Sequence, residues 1–458
     1  MVYHEKNRRD LTEPPIAAIA TPPGKGGVGI IRISGKDLKK ISQQILKKIP
    51  IPRFAEYLPF FDSNNQIIDQ GIAIFFSAPN SFTGEDVLEL QGHGGPIVLD
   101  LLLKEVLQCG ARMANPGEFS YRAYMNDKID LAQAEAISDL INSSTEVAAK
   151  SAMRSLKGDF SLQIQTLLSD LINARMHVES AIDFPEEEID FLADQVLIEK
   201  LEKLEISINK IFATAKQGCV LNEGMTIVIA GQPNAGKSSL LNRLAGYDVA
   251  IVTHHEGTTR DVLKENIQID GMPLHIIDTA GLRNEANEIE QLGINKAWQE
   301  INKADHILYI VDDKLNFSAK DEELVSLLPD NISKTIIFNK IDISNKKASI
   351  DKQENQAKIY LSVKENVGLE LLLSHLKNVI GYSGESEDVF IARRRHIDAL
   401  QQAKSFIENG IAELRKNHAG ELLAEDLRQA QKELNLITGE FDNEDLLGEI
   451  FSNFCIGK

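Results

Sequence analysis

The sequence predicts a multidomain protein of mixed class: an N-terminal α/β domain, then an all-α domain split by a second, inserted α/β domain with a mostly parallel sheet. Three observations carry this. Residues 223–380 alternate apolar strand-like runs with helical ones, the pattern of a parallel sheet with right-handed crossovers. On both sides of that block apolar residues recur at helical spacing, as in Ile164, Leu167, Leu168, Leu171 and Ile172, and again in Ile397, Leu400, Ile407, Ile411 and Leu414. Two helical blocks around one α/β block are most economically a single domain carrying an insertion, which is tolerated when the insert's termini lie close together.

Residues 12–127 mix short β-rich runs with glycine and proline. Ile16–Ala20, Gly29–Ile33 and Gly71–Phe76 are expected strands, and Ile97–Leu107 an expected helix. Gly24-Lys25-Gly26-Gly27-Val28-Gly29 is followed by β-rich Ile30–Ile33 rather than a helix, so it is not a dinucleotide fingerprint. Residues 128–222 are helical, with a break at Pro185 inside the acidic run Asp183–Glu188, itself expected to be a solvated face. Within 223–380 the expected strands are Met225–Ala230, Leu274–Asp278, His306–Val311 and Ser333–Asn339. A Ser-, Gly- and acid-rich linker opens 381–458, which is helical to the end.

Composition narrows the functional classes. A chain of 458 residues fits about three domains at roughly 150 residues each. At 43% hydrophobic residues it has enough apolar content for real cores. No stretch approaches the roughly 20 apolar residues of a membrane span, and Met1–Asp10 has no apolar segment of a secretory signal. Cys109, Cys219 and Cys455 form no metal or CxxC spacing, so a reducing, cytoplasmic setting is expected. A net charge of −19 excludes binding nucleic acid through a globally basic surface, so any RNA must meet a local patch or a partner. Arg393-Arg394-Arg395-His396 is either such a patch or a solvated helix start.

The chemistry sits in the inserted domain. Gly231-Gln232-Pro233-Asn234-Ala235-Gly236-Lys237-Ser238, followed by Ser239, lies between an apolar strand and a helix and matches the P-loop. Its backbone N–H groups would bind phosphate oxygens, Lys237 would reach the β- and γ-phosphates, and Ser238 would bind Mg²⁺. Gly257-Thr258-Thr259 supplies Thr259 as a second Mg²⁺ ligand. Asp278-Thr279-Ala280-Gly281 supplies a water-mediated metal contact and a γ-phosphate sensor. Asn339-Lys340-Ile341-Asp342 supplies a carboxylate that accepts from both N1–H and the 2-amino group of guanine, donors that adenine lacks. Four such motifs in order predict a Ras-like GTPase. Leu282 stands where Ras-like proteins carry a water-orienting Gln, and the acids Glu285, Glu288 and Glu290 are the nearest substitutes. A solvated loop is the other reading of those acids.

Further segments resemble one family. They are Ala20-Thr21-Pro22-Pro23-Gly24, Ser81-Phe82-Thr83-Gly84-Glu85-Asp86, Gly92-His93-Gly94-Gly95, Asn115-Pro116-Gly117-Glu118-Phe119, Asp183-Phe184-Pro185, Arg393–His396 and the C-terminal Cys455-Ile456-Gly457-Lys458. With the four G motifs, these resemble the tRNA-modifying GTPases called MnmE, TrmE or ThdF, from about Ile16 to Lys458. The resemblance implies an N-terminal domain that dimerises and binds a tetrahydrofolate derivative, 5-formyl- or 5,10-methylene-tetrahydrofolate. It implies a homodimer that works with the FAD-dependent partner MnmG (GidA), in a heterotetramer-type complex, on C5 of the wobble uridine of tRNA. It also implies that K⁺ stimulates GTP hydrolysis as the G domains of the dimer meet.

Residue by residue, Arg32, Glu89, Lys128 and Lys458 match the folate positions. Asn234, Thr253, His255 and Thr258 match the K⁺ ligands, and the stretch Thr253-His254-His255-Glu256 matches nucleotide-contacting positions. Ser238 and Thr259 match the Mg²⁺ ligands, Ser362 the guanine-side turn, Glu290 the acid that orients water, and Cys455 the cysteine of the modification chemistry. On residues alone, Cys455 could equally be a structural thiol. Departures are His254-His255 where Asp-Ile is common, Val363 for Ala beside the base, and Lys25 for Arg. The rival functions are a ribosome-assembly GTPase, which shares the G motifs, and a folate-dependent transferase with a regulatory G domain.

Overall fold

The computed structural model describes residues 14–183, 195–245, 264–269, 272–278, 301–302, 304–330, 332–353, 356–380, 389–417, 419–439, 444–452 and 454–457. They fall into two units, one formed by the N-terminal residues to Ser138 with the C-terminal segment from Thr438, the other by Asp139–Ile437.

The first unit is built on six strands: β1 (Ile16–Ile19), β2 (Gly26–Gly35), β3 (Glu56–Phe61), β4 (Ile67–Phe76), β5 (Asp86–Gly94) and β6 (Arg112–Met113). Their order is β3-β4-β5-β2-β1-β6. All neighbours are antiparallel except β1 and β6. Alternation decides the faces. Ile31, Ile33, Leu88 and Leu90 pack under the helices Lys39–Leu46 and Pro96–Gln108. Arg32 and Glu89, in register across β2 and β5, fall on the opposite face. The sequence led us to expect three strands here. The unexpected β3 holds Pro59, and it lies at the sheet edge, where a residue without N–H is tolerated.

The C-terminal helix Glu444–Ser452 returns to this unit, where Leu447, Ile450 and Phe451 cluster with Tyr124, Leu131 and Phe454. Phe451 meets the edge of Tyr121 at a centroid distance of 5.4 Å. A Cβ on Gly117, at φ 67°, would stand 2.5 Å from the Phe451 carbonyl oxygen, so this approach needs glycine. The packing fixes where Cys455–Gly457 lie.

The second unit combines long helices with a seven-stranded sheet. The helices Glu146–Lys157, Asp159–Asp183, Gln195–Glu223 and Arg394–Asn417 pack on one another. The strands are β7 (Met225–Gly231), β8 (Lys264–Ile269), β9 (Met272–Asp278), β10 (His306–Asp312), β11 (Ser333–Asn339), β12 (Ser349–Gln353) and β13 (Gln356–Tyr360). The order is β12-β13-β11-β10-β7-β9-β8, parallel through its five central strands and antiparallel at both edges. Central strands of this kind are buried on both faces, and β10 accordingly reads His306-Ile-Leu-Tyr-Ile-Val as an unbroken buried run. Leu221, ahead of β7, and Val389, after the sheet, both enter the core that contains Ile227 and Leu274. Both connections to the sheet are thus anchored in its core.

The basic run at residues 393–396 opens the helix Arg394–Asn417, and its side chains meet acceptors within the unit while Arg394 stays exposed. Arg393 pairs with Asp139 at 2.7 Å. Arg394 reaches Asp305 at 3.4 Å, and its N–H donates to Glu223. Arg395 donates to the carbonyls of Leu436 and Ile437, and His396 is buried. Counting charges in sequence could not reveal these distant acceptors.

Candidate functional site

The nucleotide motifs converge at the C-terminal ends of the parallel strands, where ligands bind in open α/β sheets. β7 ends at Gly231, whose φ of 141° turns the chain into the loop. A Cβ there would collide with the Ile310 carbonyl oxygen of β10. Asn234 is left-handed at φ 64°, Gly236 has φ 108°, and the helix Lys237–Ala245 begins at once. The Lys237 ammonium donates to the carbonyls of Gly231 and Gln232, at 2.8 and 2.9 Å, and so bridges the loop. Ser238 and Ser239 are exposed on the first turn.

The base side is assembled around Asn339, which is 3% exposed. Its Nδ2 donates to Ala235 O at 2.9 Å, while its Oδ1 accepts from the N–H groups of Lys340, at 2.8 Å, and Val363, at 3.1 Å. One side chain therefore ties Ala235, Lys340 and Val363 together, the three segments from which the sequence predicts phosphate and guanine contacts. Lys340 Nζ donates to Asn234 O at 2.8 Å and pairs with Asp312 at 2.6 Å. Ser362 Oγ donates to Asp342 Oδ1 at 2.6 Å and accepts from the N–H of Glu365. Asp342, Asn339, Lys340, Gly236, Ser239 and Val363 line an open recess of about 640 Å³. Backbone donors and a helix N-terminus at one end, and an oriented carboxylate at the other, suit a guanine nucleotide.

Asp278 closes β9, in register with Ile229 of β7. Thr253, His254, His255, Glu256, Gly257, Thr258, Thr259, Thr279, Ala280, Gly281, Glu290 and Lys458 lie outside the described residues, as do Leu282, Glu285, Glu288 and the acids Glu186–Glu188.

In the first unit, Arg32 Nε donates to Glu89 Oε1 at 2.9 Å, and Gln91 donates to the other Glu89 oxygen at 3.2 Å. Arg32 Nη1 also donates to the carbonyl of Gly457 at 3.1 Å. The C-terminal segment is thereby tied to the pair, with Gly457 against the Ile19 carbonyl. Lys128 stands apart, its Nζ donating to Pro79 O at 3.0 Å. That loop is joined to β2 through Ser34, which bonds Thr83 Oγ1 at 2.7 Å and Glu85 at 2.9 Å. Cys455 is exposed, whereas Cys109 and Cys219 are buried. Burial raises the Cys219 thiol to about 12, with the Glu223 carboxylate adding to it, so Cys219 is inert.

Sequence reading missed Asp312, Asp313 and the Gly457 carbonyl. The only local sign of the first two is a pair of consecutive acids where an apolar strand ends. Among the described residues no helix is long and apolar enough to cross a membrane, and no cluster of three or more His, Cys, Asp or Glu could hold a metal ion.

Comparison with known proteins bears on the whole chain. Residues 15–128 match the family model of the GTP-binding protein TrmE N-terminus, and residues 131–455 match that of the MnmE helical domain. The tRNA modification GTPase MnmE of Hydrogenovibrio crunogenus is 54% identical over 447 residues, 98% of this chain and 99% of its own. The protein of that name from Proteus mirabilis is 55% identical over 97% of this chain and 99% of its own. The one from Histophilus somni is 56% identical over the same shares. With both family models and near-complete relatives agreeing, the chain belongs to the MnmE family of tRNA modification GTPases.

Proposed function

We propose that this chain hydrolyses GTP in the service of tRNA wobble-uridine modification, as a homodimer working with an FAD-dependent partner of the MnmG type in a heterotetramer-type complex. The observation that carries the nucleotide half is the Asn339 node, which joins phosphate loop, base-reading segment and guanine-side turn. Adenine has neither of the donors that Asp342 accepts, and charge-assisted bonds of this kind are worth about 1.5–3 kcal/mol each. Lys237 exchanges its two loop carbonyls for phosphate oxygens when nucleotide enters. Ser238 and Thr259 would hold Mg²⁺, which offsets phosphate charge when bound. Asn234, Thr253, His255 and Thr258 would hold K⁺, and Glu290 would orient the attacking water in place of the missing Gln. Accordingly, Glu290→Ala is expected to lower kcat about 100-fold with KM for GTP little changed. Replacing K⁺ by Na⁺ should slow the wild type and that variant alike, because Glu290 is not among the K⁺ ligands. Steady-state hydrolysis in the two salts checks this, and an unchanged kcat removes Glu290 from the reaction.

The folate half rests on Arg32 and Glu89. Glu89 can accept from the amino and ring N–H groups of a pterin while Arg32 holds it in place. Lys128 and Lys458 would supply cations for the ligand's carboxylates. A tetrahydrofolate derivative supplies a one-carbon unit when bound. Arg32→Ala should abolish binding of 5-formyl-tetrahydrofolate in equilibrium dialysis while leaving GTP binding intact, because the two sites share no residue.

The deciding experiment is nucleoside mass spectrometry of bulk tRNA from cells lacking the gene. The expected result is loss of C5 aminomethyl-type uridines, restored by the wild type but not by Asp278→Ala. An unchanged profile would overturn the reading and favour a ribosome-assembly GTPase.

A further inference from the structure

We infer that Asp313 is a positioning residue for guanine recognition: it clamps the turn that presents Asp342 to the base. The inference rests on Asp342 being the base-reading group, as proposed above.

The turn itself has little to hold it. Lys340 and Asn345 are both left-handed, at φ 69° and 54°, and between them lies only the four-residue helix Ile341–Ser344. No intrahelical ladder of that length fixes a carboxylate, so the fixing must come from side chains. Asp313 follows β10 directly, and its side chain is 0% exposed. Its N–H donates to the Asn339 carbonyl at 2.9 Å. One carboxylate oxygen accepts from Ser344 Oγ, and the other accepts from Lys346 Nζ at 2.8 Å. The Lys346 ammonium also sits 5.3 Å from the centre of the Tyr360 ring, which is stacked on Phe338 at 4.7 Å. Asp313 therefore grips the segment before Asp342 through Asn339 and behind it through Ser344 and Lys346.

The other side is held by Ser362, which occupies Asp342 Oδ1 at 2.6 Å. Asp342 is suspended between these two anchors. A carboxylate that must meet two donors of one base at once tolerates little displacement, because hydrogen bonds weaken steeply as they lengthen and bend. Slackening the rear anchor should cost the bond to the 2-amino group selectively. It should leave phosphate binding, carried by another loop, as it was.

Inosine diphosphate tests this, because it is guanosine diphosphate without the 2-amino group. The measured quantity is the ratio of the two affinities, by titration calorimetry on the full chain. Asp313→Asn and Lys346→Ala are each expected to lower the preference for GDP over IDP by about fivefold or more, within the worth of one charge-assisted bond. Lys346→Arg, which keeps the cation, should restore it. A merely structural role would lower both affinities together and leave the ratio unchanged, and that result overturns the inference. Should Asp313→Asn fail to fold, the Lys346 pair carries the test alone. Asp342→Asn is the control: if it leaves the ratio unchanged, the base-reading assignment itself fails, a different outcome from failure at Asp313 only.

Discussion

Gly236→Ala is expected to lower affinity for GDP and GTP by on the order of 100-fold, about 3 kcal/mol, while the fold survives. Two costs add. With φ at 108°, Gly236 occupies a conformation that an L-residue enters only at roughly 1–2 kcal/mol. The new methyl would also collide with the amide nitrogen of Asn339. That amide donates to Ala235 and, through its oxygen, accepts from Lys340 and Val363, so moving it loosens three segments of the site at once. The collision is with a side-chain end, which can yield. At Gly231 the added methyl would meet the β10 backbone at Ile310, which cannot, so Gly231→Ala should compromise folding instead. Nucleotide titration beside thermal unfolding of the nucleotide-free protein separates the two. Wild-type affinity in Gly236→Ala would mean that the Asn339 node does not organise the site.

That contrast also shows what the sequence could and could not disclose. Phosphate is bound by backbone N–H groups in a fixed turn, so Gly231–Ser238 must carry glycine at set positions, and the motif is legible locally. The parallel sheet was legible because its strands are continuous apolar runs between helices. β5 was not, since Gln91-Gly92-His93-Gly94 looks like a turn. It is a strand because β2 and β4 pair with it from both sides, which only the tertiary fold supplies. The partners of the candidate residues were equally hidden. Arg393 finds Asp139 across 254 residues, and Arg32 finds Gly457 across 425. The basic run, legible either as an RNA patch or as a solvated helix start, also meets acids and carbonyls of its own unit, because charge alone does not say whether an acid folds up beside it.

Between about pH 6.5 and about pH 4 the inserted domain is expected to lose about 3 kcal/mol of stability through His306 alone. This histidine opens β10 and is 1% exposed. One ring nitrogen meets Ser333 Oγ at 2.6 Å, and the other meets Thr335 Oγ1 at 2.9 Å. Thr335 in turn bonds His375 Nε2 at 2.8 Å. Burial lowers its pKa from 6.5 to about 4, and the neighbouring His375 adds to the effect. The sign follows from proton counting. Above pH 6.5 the ring is neutral in both folded and unfolded chains, so stability is full. Below that the unfolded chain binds a proton that the folded one refuses, so stability falls as pH falls and the loss is complete below about pH 4. By about pH 5 roughly 2 kcal/mol is gone. His306→Gln keeps a donor and an acceptor but cannot titrate. Denaturation at about pH 7.5 and about pH 5 should therefore show the wild type losing roughly 2 kcal/mol more than the variant. Equal losses would mean that His306 is charged in the folded protein. The hydroxyls of Ser333 and Thr335 would then both accept from the His306 ring and turn their own protons toward the Asp305 carbonyl and His375.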